Sequence, residues 1–164
     1  ISFGQNFDLN DIKKINSKEA LKRFAYENLY VIWQSDPHSW GDEEVSQFYY
    51  HDYKQNDIQI STSSTIKCSE FGNYNGFTID FDLENEHQRK TFENIVFQIK
   101  SDCIFYDTYN YEEDDRFNKK IERLNWWIES DLLCYTCPES KYKGKITFYI
   151  HNNNGYIETI EFLK

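Results

Sequence analysis

GFTIDFDLENEHQRKTFENIVFQIKSDCIFYDTYNYEEDD, residues 76–115, reads as a strand, a helix and a second strand that runs out into tyrosines and carboxylates. Phe77, Ile79, Phe81 and Leu83 alternate with Thr78, Asp80 and Asp82, so one face of the first strand is apolar and the other polar. Asn85 is a good helix N-cap, and Glu86 puts an acid where the helix dipole favours it. Phe92, Ile95, Val96 and Ile99 recur at helical spacing as a buried stripe. Cys103-Ile-Phe-Tyr106 is short and apolar, which predicts an inner strand buried on both faces. Phe77, Ile79, Phe81, Ile95 and Ile104 are the expected scaffold of this unit.

Outward from that unit, the N-terminal side alternates helical and extended signals. Residues 1–16 read as an irregular lead-in or a short helical turn around Asp8–Ile15, and Ser17 is placed to cap a helix through Asn28 with Leu21, Phe24, Ala25 and Leu29 on one face. Tyr30–Trp33 reads as a strand. Pro37 marks a loop over residues 35–39. Asp42 is positioned to cap a second helix carrying Val45, Phe48 and Tyr49. From Asp57 the period changes to two. Ile58 and Ile60 alternate with polar residues, Thr65–Phe71 reads as a strand, and Gly72–Gly76 has the composition of a hairpin loop.

On the C-terminal side, Phe117, Ile121, Leu124, Trp127 and Ile128 share helical spacing, which predicts a helix over 114–130. Leu132–Tyr135 reads as a short strand. Lys145–Ile150 and Tyr156–Phe162 flank a turn at Asn152–Gly155 and form a hairpin signal. Together these elements predict a single α+β (or α/β) domain over residues 1–164, with a mixed, mostly antiparallel sheet and about three main helices packed on it.

The chain has 164 residues, 39% of them hydrophobic and 18% aromatic, enough for a core built largely of rings with aromatics to spare. Its net charge of −10 disfavours anionic membranes and nucleic acid as direct partners and favours a basic protein. No run of 18 apolar residues occurs, so no membrane span is expected. The opening ISFGQNFDLNDIKK has no basic leader before an apolar block, so no signal peptide is expected, and the expected compartment is the cytoplasm. On that reading the four cysteines, Cys68, Cys103, Cys134 and Cys137, are reduced and buried. Cys134 and Cys137 also have the spacing of a redox pair or half a zinc knuckle, with Cys68 and Cys103 as the available completing ligands.

Three constellations bear on chemistry. Asp80 and Asp82 on one strand face, with Asp107 past the next strand, have the residue types of a Mg²⁺ site for hydrolase or nuclease chemistry. His38, His51, His87 and His151 form no ligand pair, no serine or cysteine sits in a nucleophile elbow, and no glycine loop cradles phosphate. Tyr106, Asp107, Tyr109, Tyr111, Glu112, Glu113, Asp114 and Asp115 interleave rigid amphipathic rings with acceptors for arginine and lysine, the composition of a surface for a cationic protein. No cofactor is implied.

An acidic, aromatic-rich domain of this size without catalytic motifs resembles bacterial immunity proteins of polymorphic-toxin systems, including those of contact-dependent growth inhibition. The local match runs from Phe77 to Asp107 and ends in Cys103-Ile-Phe-Tyr-Asp107, an apolar strand closed by an aromatic-Asp pair. Thr108-Tyr109 then stand where Pro-Gln would be expected. The resemblance implies a non-catalytic inhibitor of one cognate toxin, and the charge points to a nuclease. Its expected partner surface is Tyr106–Asp115, with Asp80 and Asp82 adjoining. The alternatives are a metal-dependent hydrolase or nuclease, and a DNA mimic that blocks a host nucleic-acid-binding protein.

Overall fold

The computed structural model describes residues 7–28, 30–32, 44–52, 61–71, 74–106, 121–122, 124–125, 127–128, 132–141 and 144–162. Its strands are β1 (Val31–Ile32), β2 (Glu44–Asp52), β3 (Ser61–Phe71), β4 (Tyr74–Asp82), β5 (Ile104–Tyr106), β6 (Cys134–Thr136), β7 (Gly144–His151) and β8 (Asn154–Phe162). They form one sheet in the order β1-β2-β3-β4-β8-β7-β6-β5. Helices α1 (Leu9–Ile12), α2 (Lys18–Glu27) and α3 (Glu86–Asp102) accompany it, giving an α+β fold. Every described strand pair is antiparallel, the far end of the expected mostly antiparallel sheet.

Local chemistry starts each helix. Asp8 accepts from the Asn10 and Asp11 amides, and the Asp11 carboxylate reaches back to the Asp8 amide, closing a capping box. Ser17 accepts from Ala20 N–H at 3.1 Å, and Asn85 accepts from the His87 and Gln88 amides. At the corner between β4 and α3, Asp82 Oδ1 accepts the Glu84 amide while the Asp82 amide donates to the buried Gln88 Oε1. Gln98 on α3 takes the Leu9 amide at 2.8 Å, so α1 is tied to α3.

The core lies on one face of the sheet. Phe77, Ile79 and Phe81 of β4, Ile146 of β7 and Ile157 of β8 meet Leu9, Ile12, Leu21, Phe24, Ala25, Phe92, Ile95 and Ile99 from the helices. Alternation then turns the intervening residues of β4, β7 and β8 to the other face. A smaller cluster forms there, with Ile121, Leu132, Cys134 and Tyr149 buried and Tyr106, Leu124, Ile128 and Tyr156 packed against them. The described residues within 121–128 are helical, as the spacing predicts.

The β7–β8 hairpin turns through Asn152 (φ 48°) and Asn153 (φ 62°), two left-handed residues that match the twist of the flanking strands. The turn is therefore one residue earlier than composition suggests, and Gly155 belongs to β8, between Phe81 and Ile150. Its glycine is required by packing: a Cβ there would lie 2.8–2.9 Å from the Phe92 ring. Gly155→Ala is expected to lower the unfolding free energy by about 1–3 kcal/mol. A urea midpoint equal to that of the native chain would show that the ring moves aside without cost.

Three expectations are corrected. The segment at Val45, Phe48 and Tyr49 is strand β2 and not a helix, because it is held by β1 on one side and β3 on the other. Strand β5 lies at the end of the sheet rather than inside it, so Ile104 (66% exposed) and Phe105 (58%) stand out from the core. Tyr74, Asn75 and Gly76, expected in a hairpin loop, are part of β4, while Trp127 of the predicted 114–130 helix is 44% exposed. The predicted strand at Ile58 and Ile60, the loop at 35–39, Trp33 and Leu29 lie outside the described residues.

Candidate functional site

The polar face of β4 continues across its neighbours in register. Asp80 pairs with Tyr156 and Tyr156 with Tyr149; Thr78 pairs with Glu158 and Glu158 with Thr147. Asp82 pairs with Asn154, which pairs with His151. Cys134 links Thr147 to Tyr106 at the far edge. Asp80, Asp82 and Tyr106, singled out from sequence, therefore sit on the same side of one sheet.

Between them lies a group of rings absent from the sequence reading. Tyr149 and Tyr156 stack at 4.9 Å, and Trp127 meets each edge-on at 5.9 Å. The Trp127 ring also lies 4.4 Å from His151. The only available sequence signal was alternation in β7 and β8, which puts Tyr149 and Tyr156 opposite the core. Their meeting with Trp127, more than twenty residues before Tyr149 in the chain, depends on where the described helical residues among 121–128 pack on the sheet.

Charge is embedded in this cluster. Glu158 is only 3% exposed and accepts the Tyr149 hydroxyl at 3.2 Å. Burial pushes the Tyr149 phenol far up from its usual value, and the Glu158 carboxylate pushes it the same way, so it stays a neutral donor. Tyr156 is raised for the same first cause, burial, with Asp80 adding to it. Burial also lifts the Cys134 thiol to about 12, against a smaller opposing pull from Thr147. That thiol is a small apolar filler and not a nucleophile.

Of the expected partner surface, Tyr106 is half-buried and carries the Lys145 ammonium 3.8 Å over its ring. Asp80 and Asp82 are half-buried, and Asp82 serves the turn into α3. Asp107, Tyr109, Tyr111, Glu112, Glu113, Asp114 and Asp115 lie outside the described residues. Among the described residues, no three His, Cys, Asp or Glu side chains are grouped to hold a metal ion. Nor does any described helix have the length and apolarity to cross a membrane.

The cysteine expectation needs correcting. Cys137 is joined to Cys103 by a disulfide and does not pair with Cys134. Cys134 packs in the smaller cluster while Cys137 belongs to the main core, so the close pair in sequence is split between two apolar regions. The reduced-thiol reading fails at Cys103 and Cys137 because the β5–β6 register sets them side by side. Compared with family models, characterised proteins and solved structures, the chain matches none.

Proposed function

We propose that this chain is a non-catalytic immunity protein that binds and neutralises a cognate bacterial toxin, a basic nuclease, through an acidic and aromatic surface. The observation that carries the reading is the outer face of the sheet, where Asp80 and Asp82 adjoin the Trp127–Tyr149–Tyr156 cluster and Tyr106 marks its edge. Exposed tryptophan beside tyrosine is the composition of an interface anchor, and carboxylates around it favour arginine and lysine from the partner. Past Tyr106 the sequence adds five carboxylates, Asp107 and Glu112–Asp115, before the next base at Arg116. That strip extends the same charge and speeds encounter with a basic protein. The site of action that fits this partner is the cytoplasm, where a nuclease toxin meets its substrate.

An immunity gene is expected beside its toxin gene, and binding kinetics with the toxin domain found there test the proposal. Changing Glu112, Glu113, Asp114 and Asp115 together to Lys is expected to slow association by about ten-fold or more at low salt. The melting curve should stay that of the native chain. An unaltered association rate and affinity would remove the strip from the interface. Loss of binding in Trp127→Ala is expected as well, and retained binding in both variants would overturn the proposal.

A further inference from the structure

The Cys103–Cys137 bridge lies where three features meet. Cys103 is the C-cap of α3, its amide still bonded to Ile99 O at 3.1 Å. Strand β5 begins at the next residue and is held to β6 by three registered pairs, Ile104↔Thr136, Phe105↔Tyr135 and Tyr106↔Cys134. Extending that register by one step brings Cys103 opposite Cys137, and their Cα atoms are 4.3 Å apart, the close spacing of a non-hydrogen-bonded antiparallel pair. The bridge is thus the fourth rung of a ladder that otherwise has three. It also closes a covalent loop, with its ends 34 positions apart in sequence, that contains the whole strip from Tyr106 to Asp115.

We propose that Cys103–Cys137 is a reversible redox clamp on strand β5, closed in this structure and opened by a dithiol reductant. Three paired residues at a sheet end, with Ile104 and Phe105 facing solvent, gain little from burial, so the covalent rung dominates the hold on this strand. Access favours one sulfur: Cys103 is half-buried at the sheet end, whereas Cys137 is 3% exposed in the core. A dithiol thiolate attacks Cys103 Sγ, the Cys103–Cys137 S–S bond breaks, and Cys137 leaves as a thiolate that takes a proton. The reagent's second thiol then displaces Cys103 from the mixed disulfide. The products are a cyclic disulfide of the reagent and two protein thiols, with two electrons passed to the protein. Cys134 does not compete, since it is buried in the other cluster with its thiol held protonated. The clamp controls how firmly Ile104–Tyr106 are held to β6, and it stands whether or not this chain binds a toxin.

Amide hydrogen exchange of the full chain, without any partner, tests this before and after treatment with dithiothreitol. Peptide mapping of the untreated protein should find Cys103 linked to Cys137. After reduction, amides of Ile104–Tyr106 should exchange about ten-fold faster or more, while those around Ile95 and Ile99 keep their protection. Cys103→Ser should show the fast pattern with or without the reductant. Absence of the linked peptide overturns the proposal, as does unchanged exchange in β5. Equal acceleration in β5 and α3 also overturns it, because the bridge would then support the whole fold and not one strand.

Discussion

Phe81→Ala is expected to remove about 3–5 kcal/mol of stability, a large share of what a domain of this size has. Phe81 is fully buried, with its ring 6.0 Å from Phe7 and 5.6 Å from Phe92. It therefore joins the segment before α1 to α3 across the middle of the sheet. Its backbone is fixed between Ser64 of β3 and Gly155 of β8, so neither neighbouring strand can close on the space a smaller side chain leaves. Gly155 adds no side chain to fill it. Urea unfolding should show a lower midpoint with the slope preserved. A loss below about 1 kcal/mol would mean that Phe7 and Phe92 collapse together and that the core is less tightly determined than described.

The second large effect is an alkaline loss of stability driven from the opposite face. Cys134 has its thiol raised from 9.0 to about 12, chiefly by burial. A raised folded value means that the unfolded chain gives up its proton first. This contribution is therefore complete below pH 9 and is lost as pH rises toward 12. Between pH 9 and 11 it amounts to about 3 kcal/mol for this one thiol. Tyr149 acts with the same sign, since its raised phenol stays protonated in the fold while the unfolded one ionises above its ordinary value of 10.0. Unfolding free energy measured against pH should be flat to about 9 and then fall. In Cys134→Ala the fall should begin near pH 10 and be shallower, leaving the Tyr149 contribution. Parallel curves for the two proteins would show that the thiol is not desolvated in the fold.

Much of this fold was legible because local chemistry and tertiary packing agree in it. Ser17 and Asn85 are caps whose side chains have a nearby amide to satisfy, and the α3 stripe faces the sheet with the period it shows in sequence. The same reasoning failed at Val45, Phe48 and Tyr49, where helical spacing and strand-forming residues coincide. Pairing with β1 and β3 chose the strand. It failed again at Ile104 and Phe105, because an apolar run shows a tendency to extend but not its rank in a sheet.

Of the candidate site, Asp80 and Asp82 on a common polar face followed from alternation alone. The strip from Tyr106 was visible as composition, and its start at a sheet edge was not. The aromatic cluster joins Trp127 to Tyr149 and Tyr156, and the bridge joins Cys103 to Cys137. Both are contacts between distant segments, and sequence spacing carries no information about them.

By itself the sequence determined the caps at Ser17 and Asn85, the faces of β4 and α3, the pairing of Lys145–Ile150 with Tyr156–Phe162 and the acidic character of the chain. These depend on interactions between residues a few positions apart or on sums over the whole composition. Only the tertiary structure decided the strand order, and with it the exposure of β5, the meeting of Trp127 with the outer sheet face and the choice of Cys103 over Cys134 as partner of Cys137. The physical reason is that strand order is a competition between long-range pairings of similar local cost. The winner is set by which arrangement buries both apolar faces at once.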